Sequence, residues 1–380
     1  MDNYVEVLIA LALEKARVLR GKIKNPLPSA EFSGLQSRCE YQLDSISHRL
    51  RYLAEDPDVK AKGNSQRRIR LLRRAFDELA LLECTGIAAL NRIDQDDVFL
   101  SKVLFQIHKE INYPLNLPTV TCLSQSYYNV NPKIGLLSVP LAESESLLHL
   151  PDFYHELGHP VIYAIGDPKV EKFQEEYGKF IGFVLEIFNK RRIEITRSTA
   201  PKDYHMFEAK ILELSWIKYW GMEFFCDLFA IYTLGPAYAW SHLHLTASRD
   251  GNPYDVKINQ VTSHPPDQAR MEVMLYALDL LGQQREATSI RDKWNSLLVM
   301  TGSKQSANYR KACPRELLEL AAVHAFEGIK FIGCRLANER ANGEIHKLLN
   351  EAWKIFWQDQ SKYRSWEKTK LIELKQRFKE

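Results

Sequence analysis

A chain of 380 residues with 45% hydrophobic and 26% charged side chains has the composition of an ordinary globular protein, long enough to bury a sizeable core. Its net charge of +3 gives no argument for nucleic acid or an anionic membrane as partner. No stretch reaches the roughly 18 uninterrupted apolar residues of a membrane span, and the six cysteines are scattered without a Cys-x-x-Cys pair, as in a reduced, cytoplasmic protein.

The N-terminal third reads as helices. Residues 2–20 carry an amphipathic pattern that ends at Gly21 and a loop at Pro26 and Pro28. The opening lacks the basic start and cleavage site of a signal peptide. Further helical patterns cover 31–54, 64–90 and 96–112. The third contains "QRRIRLLRRAFDELALL", whose Ile69, Leu71, Leu72, Phe76 and Leu79 fall at helical spacing with arginines between them. That is the pattern of a packed helix with a solvated basic face.

After Pro118 the texture changes. "TVTCLSQSYYNV" and "IGLLSVP" are rich in β-branched and aromatic residues, with Asn-Pro between them, and predict two short strands about a turn. The second is a candidate edge strand to which an extended peptide could add. "PDFYHELGHPVIYA" follows, placing His155, Glu156 and His159 in a His-Glu-x-x-His pattern. On a helix, positions i and i+4 lie about 40° apart, so both imidazoles project from one face and can converge on a metal ion. Glu156 is turned about 100° from His155, poorly placed to be a ligand but able to reach a water beside the ion. Gly158 permits close approach of another backbone, and Pro160 should kink the helix or end it early.

Helical patterns resume at 168–192, 205–234 and 266–282. The middle one contains "WIKYWGMEFFCDLFAIYTLGPAYAW", in which Glu223 and Asp227 are the only acidic residues between Lys218 and His242. Spaced i and i+4, they share a face, and carboxylates in so apolar a helix are costly unless paired or bound to a metal. Glu223 is the expected third metal ligand. Asp227 is expected to fix the ring nitrogen of one histidine that the metal leaves free. The metzincin alternative fails, because Ile162 and Ile165 stand where its Gly and third His belong. His264, before Pro265 and Pro266 at a helix start, is a second catalytic candidate as an oxyanion stabiliser, against a simple packing role. Tyr254 and Arg270 are lesser candidates for the same task, and His242 and His244 read as surface residues. The remaining helical patterns, at 286–300, 314–336, 342–358 and 362–378, carry no motif.

"HELGH" followed by "EFFCDLFA" resembles the gluzincin branch of zinc metallopeptidases, whose second motif is Glu-x-x-x-Asp. "SHPPDQARMEVMLYAL" resembles the His-Pro-Pro…Arg segment of HtpX-like members, and "HELGH" is shared with soluble ImmA/IrrE-like proteins, whose second motif usually has Asn where this chain has Asp227. The resemblance covers roughly residues 130–282. It implies a mostly helical α+β fold with a zincin-like metallopeptidase core, a small β-sheet and helical flanks. The division expected is a helical region at 1–115, the core at 116–285 and a second helical region at 286–380.

It also implies Zn2+ held by His155, His159 and Glu223, with Glu156 as general base for hydrolysis of a peptide or protein substrate. The rival expectation is a non-catalytic regulatory protein whose zinc site is structural or vestigial and whose helical flanks bind a partner.

Overall fold

The computed structural model describes residues 2–23, 27, 29–61, 64–124, 127–197, 202–338 and 343–378. The chain is mostly helical with one small three-stranded sheet. Contacts divide it into two compact units, one of residues 1–104 and 117–144, the other of residues 105–116 and 145–380.

The first unit contains α1 (Asp2–Lys22), α2 (Ser33–Glu55), the single turn α3 (Pro57–Lys60) and α4 (Ser65–Leu82). A π-helical turn, Glu83–Ile87, joins α4 to α5 (Ala88–Asn91), so helical structure is unbroken from 65 to 91. α1 continues through Gly21 to Lys22, and the loop expected at Pro26 and Pro28 lies outside the described residues. Ile9, Ala12, Leu35, Leu43, Ile46, Leu79 and Leu136 are among the buried side chains of one core. On α4 the buried stripe is Leu72, Ala75, Leu79 and Leu82, with Arg68 turned inward at its head and Ile69 at the surface. Arg68 is tolerated there because Nε donates to the Leu53 carbonyl and Nη2 to Glu6. The other arginines of that helix, at 67, 70, 73 and 74, are exposed.

The first strand-like segment supplies two strands rather than one: β1 (Thr119–Thr121) and β2 (Asn129–Asn131). β3 (Leu136–Ser138) lies between them, parallel to β1 with Val120 opposite Leu137, and antiparallel to β2 with Val130 opposite Leu137. The expected edge strand is therefore the central one, its hydrogen-bonding groups already engaged on both sides, so a peptide cannot add to it.

The second unit is built around α10 (Gly221–Leu234). α6 (Gln95–Ile111) crosses the unit boundary in sequence; α7 (Asp152–Tyr163), α8 (Glu171–Arg197) and α9 (Lys202–Ser215) precede α10. A second π turn, Trp216–Trp220, fuses α9 to α10 into one helical run. α11 (Pro236–Ala247), α12 (Asp267–Leu280), α13 (Gln284–Met300), α14 (Ala307–Ala312), α15 (Arg315–Phe331), α16 (Glu344–Gln358) and α17 (Gln360–Arg377) complete the unit. α10 packs against α7, α11, α12 and α15. Every residue from Glu223 to Leu234 is buried, which its near-continuous apolar sequence dictates.

α11 was not visible as a helix in the hydrophobic pattern, because it is apolar almost all round. Its boundary was nevertheless written in the chain: Gly235 ends α10 at φ 86°, and Pro236 opens α11 at the first turn, where its missing N–H costs nothing. Among the described residues no helix is long and apolar enough to cross a membrane.

Candidate metal centre

α7 begins at Asp152 and continues to Tyr163, one turn beyond Pro160, so the proline does not end it. Its close neighbour is α10, and the reason is Gly158. A Cβ at that position would stand 2.8 Å from the Cys226 Cα and 3.1 Å from its Sγ. Any side chain there would push the helices apart. With glycine, the face of α7 bearing His155 and His159 meets the face of α10 bearing Glu223 and Asp227.

The two imidazoles face each other nearly edge to face, with centroids 5.1 Å apart. His155 Nε2 is 3.5 Å from Glu223 Oε2, and His159 Nε2 is 4.0 Å from Glu223 Oε1. Donor atoms each about 2.0–2.1 Å from a tetrahedral zinc ion would stand about 3.3 Å apart. The two separations exceed this by about 0.2 and 0.7 Å, so Glu223 faces both imidazoles from close to ligand range. Cys226 lies in the same place: its Sγ and a ligand nitrogen of each imidazole are all within 4.8 Å of one another, so this buried His155, His159 and Cys226 group could also hold a metal ion.

Behind the imidazoles is a fully enclosed charge network. Asp227 has no exposed surface. Its Oδ1 is 2.9 Å from His155 Nδ1, and the Tyr238 hydroxyl donates to the same oxygen at 2.5 Å. Arg270 clamps the carboxylate from the other side, Nε to Oδ2 at 2.8 Å and Nη2 to Oδ1 at 2.6 Å. A carboxylate beside Nδ1 favours a proton on that nitrogen, so Nε2, which faces Glu223, is the nitrogen left to bind a metal. Tyr238 and α11 were missed in the sequence; Arg270 was considered only as an oxyanion group, whereas its guanidinium is spent on Asp227.

The electrostatics follow from burial. Burial alone would raise the Asp227 pKa, but the Arg270 charge and hydrogen bonds, then His155, hold it well below the usual carboxylate range. Burial likewise works against charge on Glu223 and His155, yet their mutual pairing lowers the carboxyl and, with Asp227, raises the imidazole. Both shifts express one demand: two buried carboxylates need positive charge between them, from a proton or from a metal ion. His159 goes the other way, down to about 4, because burial and the neighbouring His155 disfavour its protonation. It is a neutral imidazole with a lone pair, the form that coordinates metals.

Glu156 is buried in α7, close enough to Cys226 that its charge helps to raise that thiol's pKa after burial and Glu223. His264 stands at the mouth, its side chain 64% exposed and Nε2 3.8 Å from Glu223 Oε2, so it is not a packed helix-start residue. Tyr254 does not join the centre and packs edge-on against Tyr309 at 5.1 Å. The expected surface pair divides: His242 is buried, stacked on Trp294 with Nε2 3.2 Å from the Asp267 carbonyl, and half-buried His244 packs on Trp353.

No protein-family model, curated protein or solved structure matches this chain.

Proposed function

We propose that the second unit holds a zincin-like core and that the protein is a zinc-dependent hydrolase of peptide bonds, with the ligand arrangement of a gluzincin. The observation that carries this reading is the Glu223 carboxylate facing the Nε2 atoms of both histidines of the His-Glu-x-x-His helix at 3.5 and 4.0 Å. Glu223 suits the third position better than Cys226. The Cys226 thiol is pushed well above its ordinary pKa by burial and then by Glu223 and Glu156. Binding through sulfur would require a thiolate beside those carboxylates.

A bound zinc ion would supply a Lewis acid able to lower the pKa of a water toward about 7. His155, His159 and Glu223 are the ligands in this reading. Asp227 keeps the His155 proton on Nδ1, and Arg270 compensates Asp227. Glu156 takes the proton of the attacking water and delivers it to the leaving nitrogen. His264, exposed at the mouth with Nδ1 2.9 Å from Ser263 Oγ, would present its imidazole toward a developing oxyanion.

Zinc content and hydrolysis of a random peptide library are the test. Glu156→Gln should keep its zinc and lose about 10²–10⁴-fold in turnover, the usual worth of a general base. Undiminished turnover in that variant would remove Glu156 from the mechanism. A second reading, a structural or regulatory zinc site, is favoured by the proximity of Cys226 to both imidazoles. It requires Cys226→Ser to lose zinc while Glu223→Gln keeps it; the hydrolase reading requires the reverse.

A further inference from the structure

We infer that the loop joining α11 to α12 forms the substrate-binding cleft, and that its ligand is a peptide segment carrying polar side chains. The inference rests on the hydrolase reading of the adjoining centre and adds to it the place and chemical class of the substrate.

The cleft has a volume of about 510 Å³ and is walled by residues 249–253, 255–257 and 260–267 together with Trp220 and Thr246. That volume lies within the range of about 300–1,000 Å³ usual for ligand sites. Two of its wall residues tie it to the metal donors. His264 lines the cleft while its Nε2 is 3.8 Å from Glu223 Oε2. Trp220 lines it from the π turn directly before α10, three residues ahead of Glu223. A chain lying in the cleft and passing His264 therefore arrives at the proposed metal.

The wall is fixed although it has no regular structure. Trp220 Nε1 donates to Thr262 Oγ1 at 3.1 Å, and the Thr262 amide to Ser215 Oγ at 3.3 Å. The Asn252 amide donates to the Lys304 carbonyl at 3.0 Å, and the Gln268 amide to the Pro253 carbonyl at 3.0 Å. The loop is pinned near its start, at Asn252 and Pro253, to the segment before α14 and to α12, and near its end, at Thr262, to α9 and the π turn before α10.

The lining sets the ligand class. Gln260 offers a neutral hydrogen-bonding group, while Asp255 and Lys257 offer both signs of charge; Asn252 and Ser263 also line the cleft, with side chains engaged at Lys304, Tyr254 and His264. An apolar side chain in such a site would strip these groups of water without replacing their hydrogen bonds. A polar segment replaces them.

The test uses the full-length Glu156→Gln protein with a photo-reactive benzophenone side chain introduced at Gln260. The same group at Arg285 is the control, exposed beyond the far end of α12, a helix about 20 Å long. The probes are two biotinylated octapeptide pools, one of Ala, Ser, Asn, Gln, Asp, Glu, Lys and Arg, the other of Ala, Leu, Val and Phe. The polar pool should label position 260 at least tenfold more than position 285 and at least fivefold more than the apolar pool does. Lys257→Trp, which fills the cleft, should abolish that excess. Equal labelling at the two positions, or preference for the apolar pool, overturns the inference. Cleavage of the polar pool by the wild-type protein is scored separately. Labelling without cleavage upholds the cleft and rejects the hydrolase reading; cleavage without labelling at 260 does the reverse.

Discussion

α4 and α10 handle charge in opposite ways. α4 carries its arginines at 67, 70, 73 and 74 on an exposed face, and only Arg68 is turned inward. α10 carries just two acidic residues and buries both, Glu223 at 6% exposure and Asp227 at zero. The many charges of α4 are compensated by water at little cost, and they say little about function. The two carboxylates of α10 have lost their water, so the fold must supply an arginine, a tyrosine and two histidines around them. In this chain the informative charges are the few that have been desolvated.

The contrast can be broken most severely at Arg270. Arg270→Leu leaves Asp227 buried without its clamp and should destabilise the second unit by about 3–5 kcal/mol in chemical denaturation. Adding Asp227→Asn to that variant should recover part of the loss; no recovery would mean that the arginine acts through packing alone.

Gly158→Ala attacks the approach of α7 to α10 instead of the charges. Its methyl group would collide with the Cys226 backbone at 2.8 Å, and the strain should cost about 1–3 kcal/mol. Zinc affinity should fall with it, because His155 and His159 sit on α7 and Glu223 on α10. A variant with weakened stability but unchanged zinc binding would detach the centre from the helix contact.

A smaller effect sharpens the comparison away from the centre. Glu176 on α8 is buried beside His324 Nδ1 at 2.7 Å and Lys179. Burial acts to raise its pKa, but the hydrogen bonds from Lys179 and His324 prevail, so it lies below its ordinary value of 4.5. A depressed carboxyl stabilises above its unfolded pKa and ceases to do so as pH falls through the folded one. Glu176→Gln should therefore cost about 1–2 kcal/mol at pH 7, with the gap to wild type closing below about pH 4. A gap constant with pH would exclude the ion pair as its source. At the bottom of the scale, Arg70→Gln on the exposed face of α4 should change stability by less than about 0.5 kcal/mol.

Much of the helical architecture was legible, because amphipathic stripes such as that of α4 repeat with the period of a helix. What the period could not convey was α11, apolar on all sides, and the central position of β3, which depends on partners distant in sequence. The π turn Trp216–Trp220 was equally hidden, since one additional residue in a helical turn has no compositional mark. At the candidate centre, the i, i+4 spacings of His155 with His159 and of Glu223 with Asp227 could be read directly. Tyr238 could not, as a tyrosine in an apolar stretch is by default core, and its hydroxyl gains meaning only beside Asp227.

The sequence alone determined which side chains share a face of α7 and which share a face of α10, because helical spacing is a local property of the chain. Tertiary structure decided that the two faces meet, through a glycine at 158 that leaves room for the Cys226 backbone. It also decided that Arg270 and Tyr238 close around Asp227, and that His264, beside Glu223, stands in the wall of a polar cleft. Those outcomes depend on packing between segments far apart in the chain, where distance and burial rather than spacing set the chemistry.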